Sequence, residues 1–284
     1  MDWGLIPAVP VPFRGATIDD AAQRRYADWM ARQPIAGVAV WAHTGRGPHL
    51  SEAQRRGVLD VWRAALPEKI IVAGANGPAM ARDAKRGGAD ALLAFPARDD
   101  TVAYHDALSR ELPVIAFYLY AAAGGVDYSD RTLHAILELP DVFGVKIATL
   151  DSVITFQRIT RILREHPDKL LITGEDRFLG YSLMMGARAA LIGMGAALTD
   201  VQAALVRAWQ CGDDHAFLRM ARQVDAFSQA TFTEPMEGYI RRMLWALAAD
   251  GVIPEDACDD PWGPQLPPAE RATVRHAVRE ARVR

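Results

Sequence analysis

The chain has 284 residues, 50% of them hydrophobic and 24% charged, with a formal net charge of −3. That is enough chain for one large domain or two small ones with a sizeable core, and the balanced charge argues against a nucleic-acid binder or a protein held to an anionic membrane. The opening MDWGLIPAVPVPF has no basic segment before a cleavable apolar core, and every apolar run is broken short of a membrane span, so a cytoplasmic protein is expected.

In chain order, short apolar segments recur at LIPAVPV (5–11), GVAVWA (37–42), IIVAGA (70–75), ALLAF (91–95), VIAFYLY (114–120), FGVKIA (143–148), LLITG (170–174) and AALIGM (189–194). They are too short and too continuous for surface helices and fit strands buried on both faces of a parallel sheet. Segments with helical spacing and polar faces lie between them, among them 19–32, 51–66 and 151–166. Ser51 followed by Gln54 reads as a capping box, and Asp151 or Ser152 caps the third of these helices.

Eight strand-like segments, each followed by a helix-like one, spell an α/β fold, a (β/α)8 TIM barrel over residues 1–200. GGADALLAFP (87–96) and GARAALIGMG (186–195) echo each other as repeated units would. From 201 to 284 the pattern is helical only, apart from the Pro-rich DDPWGPQLPPAE (259–270), and the last helix runs to Arg284. These helices are expected to pack on the barrel within one structural unit.

Chemistry in such a barrel sits where strands end and βα loops begin. His43 and Thr44 open the loop after the second strand, Tyr118 and Tyr120 end the fifth, Lys146 lies near the end of the sixth, and Glu175 and Asp176 follow the seventh. An ammonium inside VFGVKIATL must reach solvent, find a carboxylate or give up its proton, since burying it unpaired is costly. By position alone Lys146 reads equally as a snorkelling lysine or as a neutral amine able to form a Schiff base. Alternation places Tyr118 and Tyr120 on the same strand face. The histidines show no ligand spacing, Cys211 and Cys258 stand far apart, and GANG and GGAD lack a phosphate-loop context. Neither a metal nor another cofactor is expected.

Several motifs occur together and in order: IPAVPVPF with Asp19, the run from Gly37 through Thr44, Gly45, Leu50 and Ser51 to Arg55, FGVK at 143–146, and ITGED at 172–176. In this the chain resembles the dihydrodipicolinate synthase/N-acetylneuraminate lyase family over nearly its whole length. The resemblance implies a TIM barrel whose strand-six lysine forms an imine with a 2-keto acid, usually pyruvate, to make or break a carbon–carbon bond, in a dimer or tetramer of identical chains.

Carried over by position, the resemblance makes Lys146 the imine-forming residue and Tyr118 the proton shuttle, with Tyr120 the weaker tyrosine. Thr44 and Gly45 match the loop that holds the keto-acid carboxylate, and Gly193, near the end of the eighth segment, joins the substrate-binding set with Tyr120 and Arg46. The chain departs from the pattern in having His43 for the first hydroxyl residue of the loop and Arg46 for its glutamate. His43 reads as an acid/base in its own right or as a packing residue at the barrel mouth, and Arg46 as the anchor of a second carboxylate or as a surface charge. Leu119, Tyr120 and Ala121 replace Asn-x-Pro, Ala123 replaces an arginine, and FPARDD with Arg98 holds no relay tyrosine. These departures argue against the lysine-biosynthesis reaction. They suit a less polar second substrate, an aldehyde for example, or one anchored by Arg46 or Arg98. The expected activity is a Schiff-base lyase or aldolase acting on a small 2-keto acid. The alternatives are an imine-dependent dehydratase or hydratase of a hydroxylated keto acid, and a catalytically weakened binding or regulatory barrel.

Overall fold

The structure is a computed structural model that describes residues 3–283, without the side chain of Val283. Met1 and Asp2 of the opening segment, and Arg284 where the last helix is expected to end, lie outside the described residues.

All eight apolar segments form strands: β1 Leu5–Pro7, β2 Gly37–Val40, β3 Ile70–Ala75, β4 Ala91–Ala94, β5 Val114–Leu119, β6 Val142–Ala148, β7 Leu170–Thr173 and β8 Ala189–Ile192. Each pairs in parallel with the next from β2 through β8, and β8 pairs with β1. A parallel bridge from Ala8 to Ala39, with Val9 N–H donating to the Ala39 carbonyl at 3.0 Å, brings β1 against β2 and closes the ring. Alternate residues face opposite ways, and both faces are covered. Ile6, Val72, Leu93, Ile115 and Ile172 fill the barrel, while Val38, Ile71, Leu92, Val145 and Ile147 meet the surrounding helices. This double burial is why the strands read as unbroken apolar runs.

The intervening helices are α1 Asp20–Ala31, α2 Glu52–Ala65, α3 Pro78–Arg86, α4 Thr101–Ser109, α5 Asp130–Leu137, α6 Val153–Leu163 and α7 Leu179–Met184. The Ser51–Gln54 capping box forms in both directions, and Ser152 rather than Asp151 caps α6 by accepting from Thr155 N–H. α8 Thr199–Gln210 follows β8 and packs against β1 as the eighth barrel helix, and beyond it come α9 Asp214–Thr231, α10 Tyr239–Ala249 and α11 Pro268–Val283. Phe227, Phe232, Tyr239, Leu244 and Val274 from this region belong to the same buried cluster as the outer barrel face. Cys258 is buried and Cys211 is exposed, so only the first packs in the core. Among the described residues no helix is long and apolar enough to cross a membrane.

One expectation about facing fails at β5. Phe117 pairs with Lys146, and Phe117 and Leu119 face the barrel interior, so Tyr118 between them faces out. The strand ends at Leu119 and a 3-10 turn follows at Ala121–Ala123, so two-residue alternation no longer relates Tyr118 to Tyr120.

Candidate active site

Lys146 projects from β6 into the upper barrel and is 5% exposed. Its stem lies against β7 at Gly174, where an added Cβ would come within 2.5 Å of Lys146 Cε. Its Nζ sits 4.1 Å from the centroid of the Phe117 ring. Burial pushes the lysine below its usual range, and the carboxylates of Asp176 and Glu175 offset part of that drop. Desolvation has thus acted on the ammonium, and a neutral amine is within reach near neutral pH.

The two carboxylates after β7 do different work. Glu175 accepts from Thr149 N–H at 2.7 Å, Thr149 Oγ1–H at 2.9 Å and Leu150 N–H at 2.8 Å, bracing the loop between β6 and α6. Burial raises it to about 7 against those hydrogen bonds. Asp176 lines the lysine cavity, and its Oδ1 accepts from Met194 N–H at 2.7 Å. Burial raises its pKa, with the Met194 amide and Lys146 pulling the other way. The lysine and Asp176 are therefore both drawn toward their uncharged forms.

The loop after β2 meets a segment that follows α9. Thr44 Oγ1 and Tyr239 OH are 2.9 Å apart, and His43 Nε2 lies 3.0 and 2.9 Å from the two oxygens of Glu237. Tyr120 OH also donates to Glu237, and Arg46 Nη1 does so at 3.1 Å. Burial opposes the charge on Glu237, yet His43, Tyr120 and Arg46 hold it down at about 2. Arg46 further grips Asp260 with two bonds, Nε to Oδ1 at 3.1 Å and Nη2 to Oδ2 at 2.7 Å.

The cavity over Nζ is small, about 20 Å³, and is walled by Phe117, Leu119, Leu150, Phe232, Tyr120 and Tyr239, among others. Six of the candidates from the sequence gather there: Lys146, His43, Thr44, Tyr120, Asp176 and Gly193. The close fit of Gly193 is evident, since an added Cβ would lie 2.9 Å from Tyr239 Cε2 and 3.1 Å from Thr44 Oγ1.

Tyr118, Gly45, Arg46 and Arg98 do not join them. Tyr118 lies between β5 and α6, donating to Asp127 Oδ1 at 2.5 Å and accepting from Arg158 at 3.2 Å. Burial and Asp127 push it up to about 12. Gly45 packs beneath the cavity, where a Cβ would meet the Val9 carbonyl at 2.9 Å. Its N–H donates to the Ala42 carbonyl and that of Arg46 to the His43 carbonyl, so these amides serve the turn itself and are not open to a carboxylate. Arg46 is buried and engaged by Asp260 and Glu237, and Arg98 is exposed and does not line the cavity.

Glu237, Tyr239, Phe232 and Asp260 escape a reading of the sequence because they lie more than 80 residues after Lys146 and show no motif of their own. Phe117 likewise escapes it, because only the β5–β6 register, which sets Phe117 opposite Lys146, brings it to the site. Among the described residues no group of three or more His, Cys, Asp or Glu side chains could hold a metal.

A family model described as "Dihydrodipicolinate synthetase family" matches residues 2–281. The 4-hydroxy-tetrahydrodipicolinate synthase of Rhodospirillum centenum is 27% identical over 297 residues, covering 99% of this chain and 97% of that protein. The enzyme of the same name from Roseobacter denitrificans is 28% identical over 252 residues, covering 82% and 84%. Among solved structures, a prophage protein of the dihydrodipicolinic acid synthase family from E. coli K12, in complex with pyruvate, superposes with a TM-score of 0.88 at 17% identity, covering 99% of this chain and 98% of that one. N-acetylneuraminate lyase from Mycoplasma synoviae does so with a TM-score of 0.81 at 20% identity, covering 98% of each chain. At these identities the superpositions establish the shared barrel.

Proposed function

The chain belongs to the dihydrodipicolinate synthetase family, and within that family's lyase chemistry we propose that it acts on a 2-keto acid of the pyruvate type through an imine on Lys146. One observation carries the reading. An otherwise apolar strand delivers a desolvated lysine to the C-terminal mouth of the barrel, with Nζ against an aromatic face. A pyruvate-bound neighbour with the same fold is consistent with it.

In this reading the neutral Lys146 amine adds to the keto carbon, and the carbinolamine loses water to give the imine. The protonated imine draws electrons from the adjacent carbon, which releases a proton to become an enamine. The enamine carbon then attacks an aldehyde carbon, whose oxygen takes up a proton. Hydrolysis of the imine releases product and restores the amine. Run backwards, the same steps cleave the bond. Thr44 and Tyr239, whose hydroxyls are already paired, hold the keto-acid carboxylate. Asp176 exchanges protons with Nζ, and Tyr120, backed by Glu237 and His43, serves the outer end of the cavity. Tyr118 has no part in the relay. Assembly as a homo-oligomer belongs to the same proposal.

The test is reductive trapping. Protein incubated with pyruvate and borohydride is weighed intact, and the wild type is expected to gain one reduced adduct per chain while Lys146→Ala gains none. A wild type that stays unmodified, as a binding barrel would, sinks the proposal; so does an adduct that survives in Lys146→Ala.

A further inference from the structure

Resting on that reading of Lys146, we propose that the carbonyl partner joined to the keto acid, or released from it, is uncharged. The arginines around the barrel mouth are already engaged. Arg46 is 7% exposed at its side chain, and its guanidinium is fixed by Asp260 and Glu237. Arg158, on the other side of β5, is held by Asp127 and Asp130. Arg177 donates to the Ser228 and Phe232 carbonyls. Apart from His43, Lys146 is the one basic side chain on the cavity wall among the described residues, and the imine with the keto acid occupies it. A second carboxylate would therefore lose its water without gaining a cation.

It would also meet like charge. Glu237, bonded to Tyr120 and His43 of the cavity wall, stays ionised because these two and Arg46 stabilise its anion. The space next to the lysine cavity is a cleft of about 150 Å³ that shares Leu119 and Tyr120 with it and continues past Ala121, Gly125 and Val126. Its charged members, Asp127 and Asp151, are both acidic, and Asp127 is already bound to Arg158. The rest of the cleft offers uncharged hydroxyls, those of Thr149, Ser152 and Thr155 among them, and the apolar part of the lysine cavity includes Phe117, Leu119 and Phe232. At ~30 Å³ per water, the cleft has room for about five waters, which suits a partner of four to seven carbons. Such walls accept an uncharged partner, whereas one bearing a carboxylate finds acids and engaged arginines and no free cation among them.

The test uses one enzyme preparation and three aldehydes. Butanal and succinate semialdehyde have the same chain length and differ by a carboxylate in place of the terminal methyl; benzaldehyde is a larger neutral partner. Pyruvate consumption and product mass are followed after the same preparation has been checked by borohydride trapping. The expected kcat/KM for the better neutral aldehyde is at least about tenfold above that for succinate semialdehyde. Equal or faster turnover of succinate semialdehyde overturns the inference, and so does a protein that traps pyruvate yet condenses it with neither neutral aldehyde. A protein that traps no pyruvate fails at Lys146 itself, which removes the underlying reading and this inference together.

Discussion

Phe117 stands opposite Lys146 in the β5–β6 register and presents its ring to Nζ at 4.1 Å. The contact attracts the ammonium by cation–π interaction, worth ~0.5–2 kcal/mol, while the ring's bulk excludes the water that would otherwise solvate it. Unlike a tyrosine it offers no hydroxyl, so protons for carbinolamine collapse must come from elsewhere on the cavity wall. Tyr118, the next residue, is directed to the opposite face and ends 2.5 Å from Asp127.

The two tyrosines should therefore separate cleanly. Tyr118→Phe is expected to keep kcat within about threefold of the wild type, whereas Tyr120→Phe, losing a hydroxyl inside the cavity, should lose ~100-fold. Steady-state turnover with pyruvate and an accepted aldehyde reads the difference. The reverse ranking would return the relay to Tyr118.

Imine trapping should depend on pH through Lys146. Its folded-state value lies below that of an ordinary lysine because burial penalises the ammonium, with Asp176 and Glu175 opposing the drop. The neutral amine thus accumulates at lower pH than on a free lysine, and the trapping rate climbs as pH rises through that depressed value. Asp176→Asn removes a charge that favours the ammonium, so the rising limb should move to lower pH. A shift to higher pH would show that Asp176 does not act on Nζ in this sense.

What could be read from the sequence follows from what each feature depends on. The strands were legible because burial on both faces leaves continuous apolar runs, and Lys146 was legible because an ammonium breaks such a run. The capping box at Ser51 and Gln54 is a local pattern, and it forms as expected. The outward direction of Tyr118 was not legible from alternation alone, because facing depends on the register with β6 and on where β5 stops. Arg46 looked free because its partners, Glu237 and Asp260, are 191 and 214 positions away. Nothing in a loop sequence announces a bond to a distant chain segment.

Removing Glu237 should alter stability in a pH-dependent way. Its folded-state value of about 2 lies below the ordinary 4.5, so its contribution is present above about pH 4.5 and is lost as pH falls toward 2. Glu237→Gln should cost ~1–2 kcal/mol at pH 7, less than the full shift implies because the carboxylate is partly exposed. Urea titrations across pH should find wild type and variant converging in acid. A gap that stays constant from pH 7 to 3 would argue that Glu237 acts through packing.

The Arg46–Asp260 pair is nearly dry, with side chains 7% and 2% exposed. Asp260→Ala strands a buried guanidinium that keeps only Glu237, and the expected cost is ~3–5 kcal/mol in a denaturant titration. A loss under about 1 kcal/mol would mean that the pair is solvated in solution and that Arg46 is free to meet substrate.

Two glycines distinguish the amine end of the cavity from its carboxylate end. At Gly174 an added Cβ would lie 2.5 Å from Lys146 Cε and 2.9 Å from both Ala148 Cβ and the Ile147 carbonyl, so something must shift, and the lysine stem is its softest neighbour. Gly174→Ala is expected to cost ~1–3 kcal/mol of stability and, by displacing Nζ, to slow borohydride trapping at saturating pyruvate at least tenfold. At Gly193 the added atom would instead press on Tyr239 Cε2 at 2.9 Å and Thr44 Oγ1 at 3.1 Å, leaving the lysine alone. Gly193→Ala should therefore raise the pyruvate concentration needed for half-maximal trapping while sparing the rate at saturation. If both variants slow the saturated rate alike, Thr44 and Tyr239 do more than hold the carboxylate, and the division of labour proposed for this cavity must be redrawn.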